Sequence, residues 1–270
     1  MQNRSGRGGE VHSIVVKLLY GRGCGNAYRS DRPCEPSSSP HDEPAVALGQ
    51  LTTACLFAVV GGYMDAYCYL AHGQVFANTQ TGNFVLFSLY ASQGHWSQAV
   101  RHLPPILACS LGVVVASGLN VHAKSKTWQV PLLCQALELA ILAVLAAVGA
   151  RLPDASVVPL ISFVAALQYT SFNRVGPLSF SSAMNTGNLR DATSGWVLWS
   201  AGRETTANRR KAVILSLICF SFVIGALCGS SYTRRNLAHA LWPCVAIVAA
   251  GFLLTYRERS RAARASTGTW

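Results

Sequence analysis

Phe76-Ala77-Asn78-Thr79-Gln80-Thr81-Gly82-Asn83 and Phe180-Ser181-Ser182-Ala183-Met184-Asn185-Thr186-Gly187-Asn188 decide how this chain is read. Each stretch closes a polar break, Ala71–Gln80 in the first case and 173–185 in the second, and each break lies between strongly apolar segments. A lone Thr-Gly-Asn carries no information. Two copies with similar surroundings, the second longer by one residue, point to an internal duplication. Paired polar interruptions in corresponding halves of an apolar chain are the sequence signature of a membrane transport site.

The surrounding composition agrees. The chain has 270 residues, 51% hydrophobic and only 12% charged, about half the usual charged share of a soluble domain. Mean hydropathy is +0.30 although the first 46 residues are polar. Stretches of bilayer-spanning length recur at Ala47–Tyr63, Leu103–Ala123, Val130–Ala150 (interrupted by Glu138), Ala212–Thr233 and Leu237–Tyr256. The expected fold class is all-α: a polytopic transmembrane helix bundle built from two tandem repeats with broken or half helices, in six to eight membrane segments. The net charge of +11 is not a nucleic-acid footprint, because the basic residues gather in tails and loops without an aromatic-interleaved stripe. Seven of the nine cysteines lie in apolar segments and read as small hydrophobes. No Cys/His ligand spacing occurs, so no metal or other cofactor is expected.

Residues 1–46 read as a disordered polar tail, 47–150 as the first membrane repeat, 151–256 as the second and 257–270 as a basic tail. The pattern predicts helices at about 48–70, 81–92, 103–123 and 131–150, then at 156–172, 186–200, 211–231 and 238–256. Segment 81–92 would rise only about 18 Å as a helix, short of the roughly 30 Å hydrocarbon core. A half-helix starting near the midplane fits that length, provided the preceding extended chain is buried in protein or lines a cavity. If each short segment completes a crossing, there are eight crossings and the repeats run parallel; if neither does, there are six and the repeats are inverted. Gly112–Ala116 and Gly225–Gly229 are small-x-x-x-small patterns at matching places, which let helix backbones approach closely. In the eight-crossing arrangement sixteen Lys and Arg fall on the side of the termini and five on the other, which puts both termini in the cytoplasm.

Thr81 and Thr186 are placed to cap the short helices, whose free amides form the positive end of a dipole. At membrane depth that is a site for an anion or a carbonyl group. Gly82 and Gly187 allow close approach. Asn78, Gln80, Asn83, Asn185 and Asn188 add uncharged donors and acceptors, either toward a solute or toward one another. Asp65 sits in an apolar stretch without an adjacent base, at a cost of at least ~2.5 kcal/mol on insertion scales. It reads as a proton- or cation-coupling residue, or as the structural partner of Arg190 or Arg174. Glu138, one turn from Gln135 and nearer a helix end, is the second coupling candidate. Arg190 follows Thr-Gly-Asn in the second half only, where it faces an anionic substrate or neutralises Asp65. His72, His95, His102, His122 and His239 read as interfacial. No nucleophile elbow, zinc-protease motif or nucleotide-binding loop is present.

Gly61-Gly62-Tyr63-Met64-Asp65-Ala66-Tyr67, followed by Gly73-Gln74-Val75-Phe76-Ala77-Asn78-Thr79-Gln80-Thr81-Gly82-Asn83 and later by Thr186-Gly187-Asn188-Leu189-Arg190, resembles the signature of the YoaK-like family of multi-pass membrane proteins. Gln74 stands where that signature has a second glycine. The resemblance covers roughly 48–256. It implies a membrane protein and brings no substrate or reaction.

The expected function is therefore a gradient-driven small-molecule permease with a midplane site between two Thr-Gly-Asn half-helices. Its partners would be the lipid bilayer and an unidentified solute, with a homo-oligomer compatible with the small-residue faces and no nucleic acid involved. The alternatives are a membrane-embedded enzyme, using Asp65, Glu138 and Asn83 on a lipid-phase substrate, and an assembly or scaffold factor.

Overall fold

The computed structural model describes residues 48–123, 129–202 and 205–267. The long tail, with its cysteines, and Lys124 and Lys126 lie outside them. Among the described residues the chain forms α1 (Leu48–Ala71), α2 (Gln80–Ser92), α3 (Leu103–His122), α4 (Val130–Val148), α5 (Asp154–Ser171), α6 (Asn185–Ser200), α7 (Thr205–Arg235) and α8 (Trp242–Thr267). Short helical turns, Trp96–Ala99 and Val100–His102, lead into α3. The second break holds a two-residue hairpin, β1 (Arg174–Val175) with β2 (Leu178–Ser179), turning at Gly176 with φ 58°. The chain is thus an all-α polytopic bundle. Two helices outrun their expected ends: α7 begins at Thr205, and α8 continues through the stretch read as a basic tail.

Five segments are long and apolar enough to cross a membrane: Leu48–Ala71, Trp96–His122, Val130–Val148, Thr206–Arg235 and Leu237–Ser260. Helix α5, 18 residues long with Pro159 inside it, is buried along most of its length and also runs the depth of the bundle. Contacts at the two ends establish direction. At one end, here end A, the Gly176 amide donates to Gln50 Oε1 (3.0 Å), and Gln135 Nε2 reaches Thr255 Oγ1 (3.5 Å). At the opposite end, end B, His72 Nδ1 bonds Asp154 Oδ1 (2.7 Å), and the Tyr63 hydroxyl donates to the Ala240 carbonyl (2.6 Å).

Helix α2 starts at depth and returns to end B, where Tyr90 near its last turn donates to Gln74 Oε1 (3.4 Å) and stacks on His102 (centroids 5.7 Å apart). Helix α6 likewise returns to end A, where Arg209 at the start of α7 lies over the Trp199 ring. Neither short helix crosses. Five helices, α1, α3, α4, α7 and α8, are thus long and apolar enough to cross a membrane, and α5 lies against α1 in the opposite direction, from His72 at its start to Phe57 near its end.

Backbone proximity holds the centre. A Cβ on Gly112 of α3 would lie 2.5 Å from the Phe163 carbonyl of α5. A Cβ on Gly225 of α7 would overlap the Val59 carbonyl of α1, and one on Gly229 would lie 2.7 Å from the Tyr63 carbonyl. These are the small-residue approaches expected from sequence. They connect the first helix of each half to the third helix of the other. The shared core draws Val60, Met64 and Cys68 from α1, Leu142 and Leu145 from α4, Val157, Ile161 and Val164 from α5, and Cys244 and Val248 from α8. Outward positions are apolar instead of charged, for example Leu107, Leu111 and Val114 on α3 and Phe220, Val223 and Leu227 on α7, as a lipid-facing surface requires.

Candidate functional site

Both breaks descend to the middle of α1 and meet there. Asn78 Nδ2 donates to the Gly61 carbonyl (2.9 Å), and a Cβ on Gly61 would lie 2.8 Å from the Ser182 carbonyl. Gly61 thus leaves room for one break and hydrogen-bonds the other. In the first break Gly73 (φ 71°) and Gln74 (φ 61°) take left-handed backbone, which turns the chain back into the bundle; the glycine does so without steric cost.

The two Thr-Gly-Asn asparagines do the same work. Asn83 Oδ1 accepts from the Phe76 amide (3.0 Å), and its Nδ2 donates to the Phe76 carbonyl (2.8 Å) and to Gln80 Oε1 (2.9 Å). Asn188 Oδ1 accepts from the Ser181 amide (3.1 Å), and its Nδ2 donates to the Ser181 carbonyl (2.6 Å) and to Asn185 Oδ1 (3.3 Å). In each case the side chain satisfies both polar groups of the residue seven positions earlier, where no helix or sheet can do so. Asn83→Ala should therefore cost roughly 2–3 kcal/mol, since it leaves both Phe76 backbone groups unpaired; thermal unfolding of the detergent-solubilised protein measures it.

A cavity of about 680 Å³ lies between the breaks. Asn78, Thr79, Gln80 and Thr81 line it from one side, and Asn185, Thr186, Gly187, Asn188 and Arg190 from the other. Tyr169, Cys109 and Phe222 complete the wall, with the Tyr169 hydroxyl 2.9 Å from Cys109 Sγ. The N-termini of α2 and α6 thus open onto one space. Asn78 is buried, and its Oδ1 has no hydrogen-bond partner among the described residues.

Several sequence expectations change. Thr81 and Thr186 are not caps: the helices begin one residue earlier, Thr79 and Met184 hold the cap positions, and neither makes a side-chain cap bond. The Gln80 amide, first of α2, instead donates to the Asn78 carbonyl (2.9 Å). Gly82 serves packing, since a Cβ there would lie 3.1 Å from the Phe76 ring, whereas nothing stands within 4 Å of a Cβ on Gly187. Asp65 is buried one layer behind the cavity wall. Its Oδ1 accepts from the Asn78 amide (2.7 Å) and its Oδ2 from the Thr79 hydroxyl (2.6 Å). Its partner is the break, not Arg190 or Arg174. Arg190 turns to Asp191 (3.0 Å), which Lys211 also approaches (3.6 Å).

Glu138 does not reach an interface. It is fully buried, and Gln168 Nε2 donates to both its oxygens (2.9 and 3.1 Å), while Gln168 Oε1 accepts from Ser182 of the second break (3.3 Å). Each intramembrane acid therefore holds one break, Asp65 directly and Glu138 through Gln168. His72 and His102 lie at end B, as their places at segment ends suggest, and are buried within the protein there. Gln168, Ser182, Thr79 and Tyr169 were not singled out from sequence. Gln168 was the visible clue, an amide in an otherwise apolar run.

Five helices of membrane-spanning length and apolarity, packed around two short helices that start inside the bundle, define an integral, multi-pass membrane protein. Residues 53–254 match the model of DUF1275, described as a protein of unknown function, and the chain belongs to that family. The UPF0700 transmembrane protein YoaK of Bacillus subtilis (strain 168) is 25% identical over 183 residues, which cover 65% of this chain and 80% of that one. No solved structure matches.

Proposed function

We propose that the protein is a gradient-driven permease for a small solute bearing carbonyl or anionic oxygen, held at mid-depth between α2 and α6. The observation that carries this reading is the convergence of two half-helix N-termini, from opposite ends of the bundle, on one cavity. Partial positive charge from both dipoles favours an oxygen acceptor there, while Arg190 is offset by Asp191, which also lines the cavity. The Asn185 side-chain amide and the hydroxyls of Thr81 and Thr186, all on the cavity wall, can orient the solute. Irregular backbone at membrane depth is tolerated where it lines a polar cavity. Asp65 and Glu138 act through the breaks they hold and not by touching the solute, so movement of either break would change both its acid's surroundings and the cavity. The matching asparagine clamps and the matching glycine contacts favour a duplicated origin for the halves, with inverted repeats as the basis for alternating access.

The side of the termini is read from charge. With α5 taken as a sixth crossing, Arg174, Arg209, Arg210, Lys211, Arg257, Arg259, Arg261 and Arg264 belong to end A and Arg101, Arg151, Arg234 and Arg235 to end B. Arg101 and Arg151 thus exchange sides with Arg174 relative to the eight-crossing count. The excess favours end A as the cytoplasmic side, and with it both termini.

Flux through proteoliposomes tests the reading, with urea, formate, acetate, lactate and bicarbonate as probes. Gly187→Phe fills the cavity from a position with open space beside it and replaces a helix-weakening glycine. It should lower flux at least about tenfold while leaving thermal stability within about 1 kcal/mol. Equal flux through the native and Gly187→Phe proteins, or flux no faster than empty liposomes for every probe, overturns the proposal.

A further inference from the structure

His72 closes end B of the bundle in a way that end A does not share. Its Nδ1 bonds Asp154 Oδ1 at 2.7 Å and its Nε2 bonds the Tyr67 hydroxyl at 2.9 Å. The imidazole joins the last turn of α1 to the first residue of α5. Its side chain is 8% exposed, against 60% for Asp154. A cavity of about 270 Å³, lined by His72, Val75, Arg101 and Asp154, reaches this pair. A second, of about 260 Å³, lies on the far side of Gly73 and Arg101, with Tyr90 and His102.

End A has a clasp at the corresponding place. His72 and Gly176 are 104 residues apart, and so are Gln50 and Asp154; the same spacing separates Phe76 from Phe180 and Val59 from Phe163. At end A the bond runs from the Gly176 amide to Gln50 Oε1, between two groups that do not titrate. At end B the same positions carry an imidazole and a carboxylate. The two clasps join the first helices of the two halves at opposite ends, and one of them alone can change charge.

We propose that His72 is the proton-binding site of this protein, and that binding a proton there locks end B. With His72 neutral, Nδ1–H donates to Asp154 and Nε2 accepts from the Tyr67 hydroxyl. A proton arriving from the water at end B goes onto Nε2, which then donates to the Tyr67 oxygen, while the hydroxyl hydrogen rotates away. The Asp154 bond, which had one charged partner, then joins two opposite charges and tightens. The sign follows: acid tightens end B, and rising pH loosens it. Imidazole is the side chain whose charge changes between about pH 5 and 8. The charged and titratable groups around it are Tyr67 and Cys68 on α1, Asp154 on α5, and Arg101 from the turn before α3, whose Nη1 lies beside Gly73; Cys244 of α8 adjoins Tyr67. The inference takes its purpose, coupling solute to protons, from the permease reading, but its measurement needs no solute.

Val75 lines the first cavity and is 3% exposed, so a thiol there reports opening of end B. In proteoliposomes, a Val75→Cys protein is labelled with an impermeant thiol reagent from pH 5 to 8, beside the same protein carrying His72→Gln. The ratio of the two rates cancels thiol ionisation. Labelling of the Gln protein relative to its His parent should rise on the order of fivefold toward pH 5, as the charged clasp protects the parent. Asp154→Asn keeps an acceptor for Nδ1–H while removing the charge, and it should track the Gln protein; it carries the test if His72→Gln does not fold. A ratio independent of pH overturns the proposal. Solute flux with pH-independent labelling removes the clasp alone; pH-dependent labelling in a protein that passes no solute removes the permease reading and leaves the clasp.

Discussion

Gly225→Leu should abolish the folded protein. A Cβ at this position would occupy the space of the Val59 carbonyl, and a carbonyl within a helix cannot rotate aside as a side chain can. The whole of α7 would have to retreat from α1, loosening Gly229 against Tyr63 and Gly62 against Phe222 together. Overpacking a compliant core costs about 1–3 kcal/mol. A contact with backbone on both sides should exceed that, at roughly 4 kcal/mol or more. Gly112→Leu tests the matching contact of α3 with α5, where the Phe163 carbonyl and the Ala166 Cβ would lie at 2.5 and 2.7 Å. Size-exclusion profile and thermal unfolding in detergent measure both. Gly118→Leu, with nothing within 4 Å of its Cβ, should behave as the native protein. Loss in all three variants would mean that bulk alone, and not backbone proximity, is at fault.

Asp65→Ala should be nearly as damaging. It removes the acceptor of both the Asn78 amide, which is buried, and the Thr79 hydroxyl, which lies at the cavity wall. Hydrogen bonds to a charged acceptor are worth about 1.5–3 kcal/mol each, so a loss of roughly 3–5 kcal/mol is expected, read as a lower unfolding temperature. Asp65→Asn differs in kind. The amide oxygen still accepts from Asn78, the amide nitrogen can donate to the Thr79 oxygen, and the protein should insert and stay folded. If the protein is the permease proposed above, flux through it should be impaired, because the first break sets half of the cavity wall. Equal stability of the Ala and Asn proteins would show that Asp65 does not hold the break.

Much of this was legible in the sequence because a bilayer imposes simple rules. Apolar length marked out five crossings, and small residues four apart marked where helices touch. The paired Thr-Gly-Asn breaks stood out since polar backbone at membrane depth needs a reason. The helix starts were misplaced by one residue because Gln80 and Asn185 are as polar as the breaks before them. They join the helices only because Asn83 and Asn188 fold the preceding chain back onto itself. Glu138 looked peripheral from its place along α4, and it is buried because α5 packs over it and brings Gln168 alongside. The partner of His72 was hidden for the same reason, since Asp154 lies 82 residues away in sequence.

The sequence by itself determined an all-helical membrane protein with two interrupted halves, because hydrophobic length and the cost of unpaired backbone are local properties. Only the tertiary structure decided that the short helices turn back instead of crossing. That direction depends on which end each break descends from, which is established by bonds such as Gln50 to Gly176 and His72 to Asp154 between distant residues. The same long-range contacts brought the two breaks to one cavity, set Asp65 behind its wall, and left end B with a titratable clasp.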